Sequence, residues 1–311
     1  MVEEIFSIKL PIGEKQKLMR NRYRPTTGNH SGRISIVAGI HGDELEGHYV
    51  AYLLSDWLNA NQDKIRGIID IYPAINSIGI DTINRYFAFD GVDLNRQFPG
   101  NKKDILPGKF ADGIIDAIRG SDFAIDIHSS NIFIREIPQV RMSRDFADDL
   151  VPFAKLLNVD FLWIHDASTV SESTLSHTLN SMGTKTLVVE MGVGMQMTKG
   201  HCMDLFEGIL NLMSIKGFID YKHEMKIKTP IYSEYGDVSY VNAVDCGFFV
   251  PSIEHCQSVE IGTKIGDIVD PLSGNIKASV TSPSRGILFS LREYPIVYEG
   301  SLLARIFGER E

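Results

Sequence analysis

The stretch RISIVAGIHGDE, residues 33–44, is an apolar run that ends abruptly in polar side chains able to bind metals or move protons. Its isoleucines and valine favour a buried β-strand. Four further runs of this kind follow along the chain, GIIDIYPAIN (67–76), DFAIDIH (122–128), VDFLWIH (159–165) and TKTLVVEMG (184–192). Longer segments with helical periodicity separate them. This alternation predicts an α/β fold with a mostly parallel central sheet flanked by helices.

The chain also divides into two parts with different sequence patterns. The candidate helices lie within residues 44–59, 110–120, 144–157, 173–183 and 202–213. After about residue 228 the sequence changes to short strand-like runs broken by glycine and proline, such as GFFVP at 247–251. Such a pattern is typical of a small all-β unit. We therefore predict a catalytic α/β domain at residues 1–225 and a smaller β-rich C-terminal domain at residues 226–311.

The composition is that of an ordinary globular protein. The 311 residues carry a net charge of -9, whereas a nucleic-acid-binding surface needs a concentrated excess of lysine and arginine. No window approaches the roughly 20 apolar residues of a membrane helix, and the N-terminus lacks the pattern of a secretory signal. Three cysteines without a C-x-x-C pair indicate reduced thiols. We expect a cytoplasmic protein with no nucleic-acid or membrane partner, and homo-oligomer formation stays open.

Polar residues end three of the apolar runs, and ligands bind outside the carboxyl ends of strands in open α/β sheets. The first run ends in His41-Gly-Asp-Glu44, another in His128, and a third in Glu190. Two histidines and one carboxylate leave a fourth position for water, which is the arrangement of catalytic zinc. We predict one zinc ion per chain bound by His41, Glu44 and His128. Glu190 is the candidate general base.

Each of these residues has a structural alternative when it is considered alone. The pattern H-x-x-E occurs often by chance, and a strand-end histidine or glutamate is commonly a hydrogen-bonded rim residue. Their joint placement at strand ends favours a site. His165 also ends an apolar run and is either a pocket residue or a structural histidine. Asn95 and Arg96, in a loop after the second run, either bind a substrate carboxylate or belong to a solvated loop.

Four motifs in this order resemble the succinylglutamate desuccinylase and aspartoacylase family, a branch of the zinc carboxypeptidase-like hydrolases. They are HGDELEG (41–47), GVDLNR (91–96), DIH (126–128) and VEMG (189–192). The resemblance covers nearly the whole chain.

The resemblance assigns roles to individual residues. It implies that Asn95 and Arg96 hold a substrate carboxylate and that Arg85 polarises the scissile carbonyl. Asp93 would orient His41, because a carboxylate behind a metal-binding imidazole fixes its tautomer. Tyr298 would correspond to a further substrate contact, and the C-terminal β-rich region would narrow the mouth of the site.

Two departures from the family pattern concern the substrate. Ser129-Ser130 stands where a glycine-containing pair is expected, and residues 166–176 contain no second arginine. Both argue against recognition of a dicarboxylate such as N-acetylaspartate.

Three functions are therefore weighed for this chain. The first is a zinc-dependent hydrolase that removes the acyl group from a small N-acyl amino acid. The second is a metallocarboxypeptidase that removes a C-terminal residue from a short peptide, since the same apparatus serves both reactions. The third is an inactive metal- or ligand-binding module that keeps the fold.

Overall fold

The computed structural model describes residues 1–26, 28, 30–166, 172–222 and 226–309, without the side chains of Tyr235 and Glu309. The helices are α1 (Glu46–Ala60), α2 (Ser77–Asp81), α3 (Leu106–Ile118), α4 (Arg144–Ala154), α5 (Leu175–Ser181) and α6 (Lys199–Ile215). The strands are β1 (Val2–Lys9), β2 (Lys15–Tyr23), β3 (Arg33–Ala38), β4 (Ile68–Tyr72), β5 (Phe123–Ser129), β6 (Ile134–Ser143), β7 (Phe161–His165), β8 (Lys185–Gly192), β9 (Ile231–Tyr232), β10 (Gly236–Asn242), β11 (Gly247–Pro251), β12 (Ser258–Val259), β13 (Lys264–Asp270), β14 (Asn275–Thr281), β15 (Gly286–Arg292), β16 (Ile296–Val297) and β17 (Leu302–Glu309).

The five predicted apolar runs form β3, β4, β5, β7 and β8 of one large sheet. Its centre, in the order β4-β3-β5-β8, is parallel throughout. Strand β6 then pairs with β8 in the antiparallel direction, and β2 pairs likewise with β4 at the other side. The α/β fold is therefore confirmed. A mostly parallel sheet is not, because the sheet as a whole is mixed.

Strand β6 was absent from the predicted strands because one of its faces is polar. Its sequence IREIPQVRMS places Gln139, Arg141 and Ser143 at alternate positions, which share one face of a strand. Val140, on the opposite face, is fully buried in the core. The polar face of β6 therefore lies next to the parallel centre of the sheet, where its side chains can line a site.

The apolar faces of the central strands are covered on both sides. Ile34 and Ile36 of β3 join a buried cluster with residues of α1 and α6, whereas Val37 joins a second cluster with residues of α3 and α5. Burial of each such aliphatic side chain contributes roughly 1.5–3 kcal/mol. The two clusters therefore fix the strands, and with them the residues at the strand ends.

The C-terminal strands contribute to two sheets. Strands β10, β15 and β17 continue the large sheet, where β15 pairs with β6. Strands β14, β13, β11 and β16 form a separate four-stranded sheet. The C-terminal region is thus β-rich, and the division at residues 225 and 226 stays a prediction. Among the described residues, no helix is both long enough and apolar enough to cross a membrane.

Gly42 lies in the turn between β3 and α1, directly after His41. A Cβ atom at this position would overlap the backbone of Gly79 and the carbonyl oxygen of Asn84, and neither can rotate away. Gly42→Ala should therefore lower the free energy of unfolding by about 1–3 kcal/mol, as expected for overpacking. Chemical denaturation measures this loss.

Gly200, in the first turn of α6, is the matched control. A Cβ atom there meets no heavy atom within 4 Å, so Gly200→Ala should be neutral or stabilising. Equal stability of the two variants would show that the turn after β3 is not tightly packed.

Candidate metal centre and active site

Three neighbouring parallel strands present polar residues at one edge of the sheet. Ala38 of β3 is in register with Ile127 of β5, and His128 is in register with Glu190 of β8. His41 follows β3 by three residues. The sheet itself therefore brings His41, His128 and Glu190 to one place, as the strand-end argument predicts.

His41, Glu44 and His128 converge as a buried group. Glu44 Oε1 lies 2.6 Å from His41 Nδ1, and Glu44 Oε2 lies 2.8 Å from His128 Nδ1. One potential ligand atom from each residue lies within 4.8 Å of the others. All three residues are at most 4% exposed. Both imidazoles thus turn their Nδ1 atom toward the Glu44 carboxylate.

The opposite nitrogen of each imidazole faces a second carboxylate. His41 Nε2 lies 3.0 Å from Asp93 Oδ1, and His128 Nε2 lies 3.1 Å from Asp126 Oδ2. Burial would raise the pKa of Asp93, but its hydrogen bond with His41 and the positive charges of His41, Arg85 and Arg96 together outweigh burial and lower that pKa to about 2. A carboxylate behind each imidazole is the usual support of metal-binding histidines. The group therefore fits a zinc ion held by two nitrogens and one carboxylate.

Glu44 is held as a carboxylate inside this group. Burial alone would raise the pKa of Glu44, but the two imidazoles outweigh burial and hold its pKa well below the ordinary range. Ser129 N also donates to Glu44 Oε2 over 3.2 Å, and Ser129 Oγ accepts from Glu46 N. Ser129, which departs from the family pattern, thus links the first metal-binding turn to β5.

Arg85 reaches the same group from the loop after α2. Its Nη1 donates to Glu44 Oε1 over 2.6 Å, and its Nη2 lies 3.8 Å from Asp93 Oδ2. Because the guanidinium also lines the cavity described next, it is placed to meet a polar atom bound beside the metal ligands. Its role in polarising a carbonyl stays a prediction.

A cavity of about 270 Å³ opens beside this group. It brings together most of the residues singled out in the sequence, namely His41, Arg85, Asn95, Arg96, His128, His165 and Glu190. His165 is therefore a pocket residue. Tyr298 is 70% exposed and is not among the described residues that line the cavity.

Glu190 lines the cavity, and its side chain is 18% exposed. Burial raises the pKa of Glu190 above its ordinary value, while the positive charges of Arg141 and His128 oppose the shift. A carboxylate with a raised pKa is a better proton acceptor. The position and the environment of Glu190 therefore suit proton transfer.

The 3-10 turn Leu94–Arg96 supplies the candidate carboxylate clamp. Asn95 is buried, and its side-chain Oδ1 accepts a hydrogen bond of 2.9 Å from Leu175 N at the start of α5. Arg96 is more exposed, and its Nη1 donates to the backbone carbonyl of Asn95 over 2.8 Å. These bonds fix both side chains at the cavity wall.

Arg141 of β6 is a cavity residue that the sequence argument missed. Its Nη1 lies 3.6 Å from Glu190 Oε1, and its Nη2 donates to Glu136 Oε2 over 2.5 Å. Its guanidinium also lies over the Trp163 ring at 5.1 Å. Arg305 of β17 binds the same Glu136 carboxylate. The alternating pattern of β6 is the signal that could have placed Arg141 beside Glu190.

Loss of either imidazole should remove the metal. His41→Ala and His128→Ala each leave only two protein ligands, so we expect each to lose most of the roughly one zinc per chain measured by elemental mass spectrometry. His165→Ala is the matched control, because His165 lines the same cavity outside the ligand group. Retention of zinc by both ligand variants, or its absence from the unmodified protein, would contradict the proposed centre.

Comparison with known proteins agrees with this geometry. The profile of the succinylglutamate desuccinylase/aspartoacylase catalytic domain matches residues 31–215. An N-alpha-acetyl-L-2,4-diaminobutyric acid deacetylase from Halomonas elongata is 25% identical over 309 residues, which cover 96% of this chain and 86% of that protein.

Solved structures share the fold across almost the whole chain. A succinylglutamate desuccinylase from Silicibacter sp. TM1040 superposes with a TM-score of 0.82 at 20% identity, covering 99% of this chain and 95% of that one. The product-bound ectoine utilization protein EutE from Ruegeria pomeroyi superposes with a TM-score of 0.79 at 19% identity, covering 97% and 92%.

Proposed function

This chain belongs to the succinylglutamate desuccinylase/aspartoacylase family, and from that premise we propose that it is a zinc-dependent hydrolase that removes the acyl group from small N-acyl amino acids. The observation that carries the proposal is the buried group of His41, Glu44 and His128 beside a cavity that His41, His128 and Glu190 line together. The deacetylase activity in the name of the Halomonas relative supports the choice of an amide bond.

His41, Glu44 and His128 would hold the zinc ion. When bound there, zinc supplies Lewis acidity, which lowers the pKa of a water molecule and polarises a carbonyl oxygen. Glu190 accepts a proton from the attacking water and passes it to the departing nitrogen. The water oxygen forms the new bond to the acyl carbon as the carbon–nitrogen bond breaks, so the products are a carboxylic acid and an amine.

Other residues of the cavity orient the substrate. Arg85 donates to the carbonyl oxygen, whose negative charge grows as the water attacks. Asn95 and Arg96 bind the carboxylate of the amino acid and so place the scissile amide next to Glu190. Arginine suits this task because its paired planar N–H groups match the two oxygens of a carboxylate.

Replacement of the proposed base should separate catalysis from binding. Glu190→Gln has the same shape but cannot accept a proton, so kcat should fall by roughly 10²–10⁴-fold while zinc content is unchanged. Steady-state kinetics and elemental analysis of one preparation measure both quantities.

Glu260→Gln, on the exposed surface of the C-terminal region, is the control and should keep full activity. Normal turnover by Glu190→Gln would assign Glu190 to structure. A protein that binds zinc but hydrolyses neither an N-acyl amino acid nor a short peptide would instead be the inactive binding module.

The cavity also favours a deacylase over a carboxypeptidase. Its volume of about 270 Å³ lies just below that of typical ligand sites, which span about 300–1,000 Å³. We therefore expect an N-acetyl amino acid to be hydrolysed with a higher kcat/KM than a tripeptide ending in the same residue. A clear preference for the tripeptide would replace the deacylase proposal with the carboxypeptidase one.

The carboxylate clamp has its own test. Amidation of the substrate carboxylate would leave the Arg96 guanidinium without its partner, which costs about 1.5–3 kcal/mol for a charged hydrogen bond. Binding should weaken by at least about tenfold. Arg96→Ala should reduce this difference, and Arg96→Lys should restore little of it. Equal binding of the acid and the amide by the unmodified enzyme would exclude the clamp.

A further inference from the structure

Beyond Glu190 the cavity continues between β8, α4 and α5. Thr186, Val188 and Glu190 alternate along β8 and line the cavity from one face of the strand. Phe146 and Leu150 of α4, with His177 and Asn180 of α5, complete this wall. We call the six residues Phe146, Leu150, His177, Asn180, Thr186 and Val188 the side pocket.

The side pocket lies on the amino-acid side of the proposed substrate. Asn95, half of the carboxylate clamp, is hydrogen bonded to Leu175 at the start of α5, and α5 also carries His177 and Asn180. In an N-acyl amino acid, the carbon that bears the carboxylate also bears the side chain. A substrate held by Asn95 therefore places its side chain against α5 and not against the acyl-binding end.

The side pocket contains no counter-ion for a cationic side chain. Among the described residues that line the whole cavity, Glu190 is the one carboxylate, and it is already engaged as the base. The segment 167–171, whose structure is not described, reads Ala-Ser-Thr-Val-Ser and so carries no acid. An ammonium group in this pocket would lose water without gaining a partner, which is strongly unfavourable.

An anionic side chain meets no lysine or arginine among the six residues of the side pocket, whose one imidazole is His177. Arg141 adjoins the side pocket, because it pairs with Val188, whereas Arg85 and Arg96 of the same cavity are assigned to the scissile carbonyl and the substrate carboxylate. The Arg141 guanidinium is committed to Glu136, Glu190 and the Trp163 ring. Arg141 and Arg305 together face the carboxylates of Glu136 and Glu190, so the positive and negative charges of this cluster are equal in number.

We propose that the side pocket selects N-acyl amino acids whose side chain is uncharged, with apolar atoms against Phe146, Leu150 and Val188 and a polar end toward His177 and Asn180. This inference rests on the proposed deacylase function. The proposed substrate preference differs from that of the Halomonas relative, whose named substrate carries a second amino group.

Three substrates of similar length test the proposal in the zinc-loaded enzyme. N-acetylglutamine, N-acetylglutamate and N-acetylornithine differ mainly in side-chain charge. We expect kcat/KM for N-acetylglutamine to exceed the other two values by at least about tenfold, since each factor of ten requires only about 1.4 kcal/mol of discrimination. A higher value for N-acetylornithine or N-acetylglutamate overturns the charge argument and leaves the deacylase function intact.

A variant with a new carboxylate provides a second test. Val188→Asp, checked for zinc content, should raise kcat/KM for N-acetylornithine relative to N-acetylglutamine by about tenfold or more. Val188→Asn has a similar shape without the charge and should not. An unchanged ratio in Val188→Asp means that the substrate side chain lies elsewhere and overturns the proposal. If no N-acyl amino acid is hydrolysed by the unmodified zinc-loaded enzyme, the proposed function fails and this inference fails with it.

Discussion

The Glu44 carboxylate, held between two imidazole nitrogens, is the constraint on which the candidate site depends. Its two oxygens lie 2.6 and 2.8 Å from the Nδ1 atoms of His41 and His128. A buried carboxylate without partners would be strongly destabilising. The imidazoles remove that penalty, and Asp93 and Asp126 behind them keep both rings turned inward. The folded protein thus stabilises a buried group whose geometry suits a metal ion.

The central sheet positions His41, His128 and Glu190 relative to one another. Because β3, β5 and β8 are adjacent and parallel, their ends meet at one edge, and register places His128 beside Glu190. The antiparallel β6 then supplies Arg141 next to Glu190. His128, Glu190 and Arg141 therefore lie on strands of one sheet, and His41 and Glu44 follow its strand β3, which is a favourable basis for holding groups in a reactive geometry.

The sequence predicts the candidate metal-binding group better than it predicts the surrounding cavity walls. His41, His128 and Glu190 are visible because each interrupts an apolar run that burial requires. Strand β6 lacks such a run, so its place and Arg141 were missed. The mixed sheet was missed for a related reason: β5 and β6 are close in sequence, yet β8 lies between them. Consecutive strands usually neighbour each other, and pattern alone does not show when a later strand separates them.

The central claim is that His41, Glu44 and His128 form a zinc centre beside the base Glu190. Diffraction data collected at the zinc absorption edge, from crystals grown with zinc, locate the ion directly. The account predicts one strong anomalous peak per chain, about 2.0–2.2 Å from the Nδ1 atoms of both histidines and from a Glu44 oxygen. Glu190 should lie beside the ion without binding it. An empty site in zinc-grown crystals, or a peak held by other residues, would contradict the account.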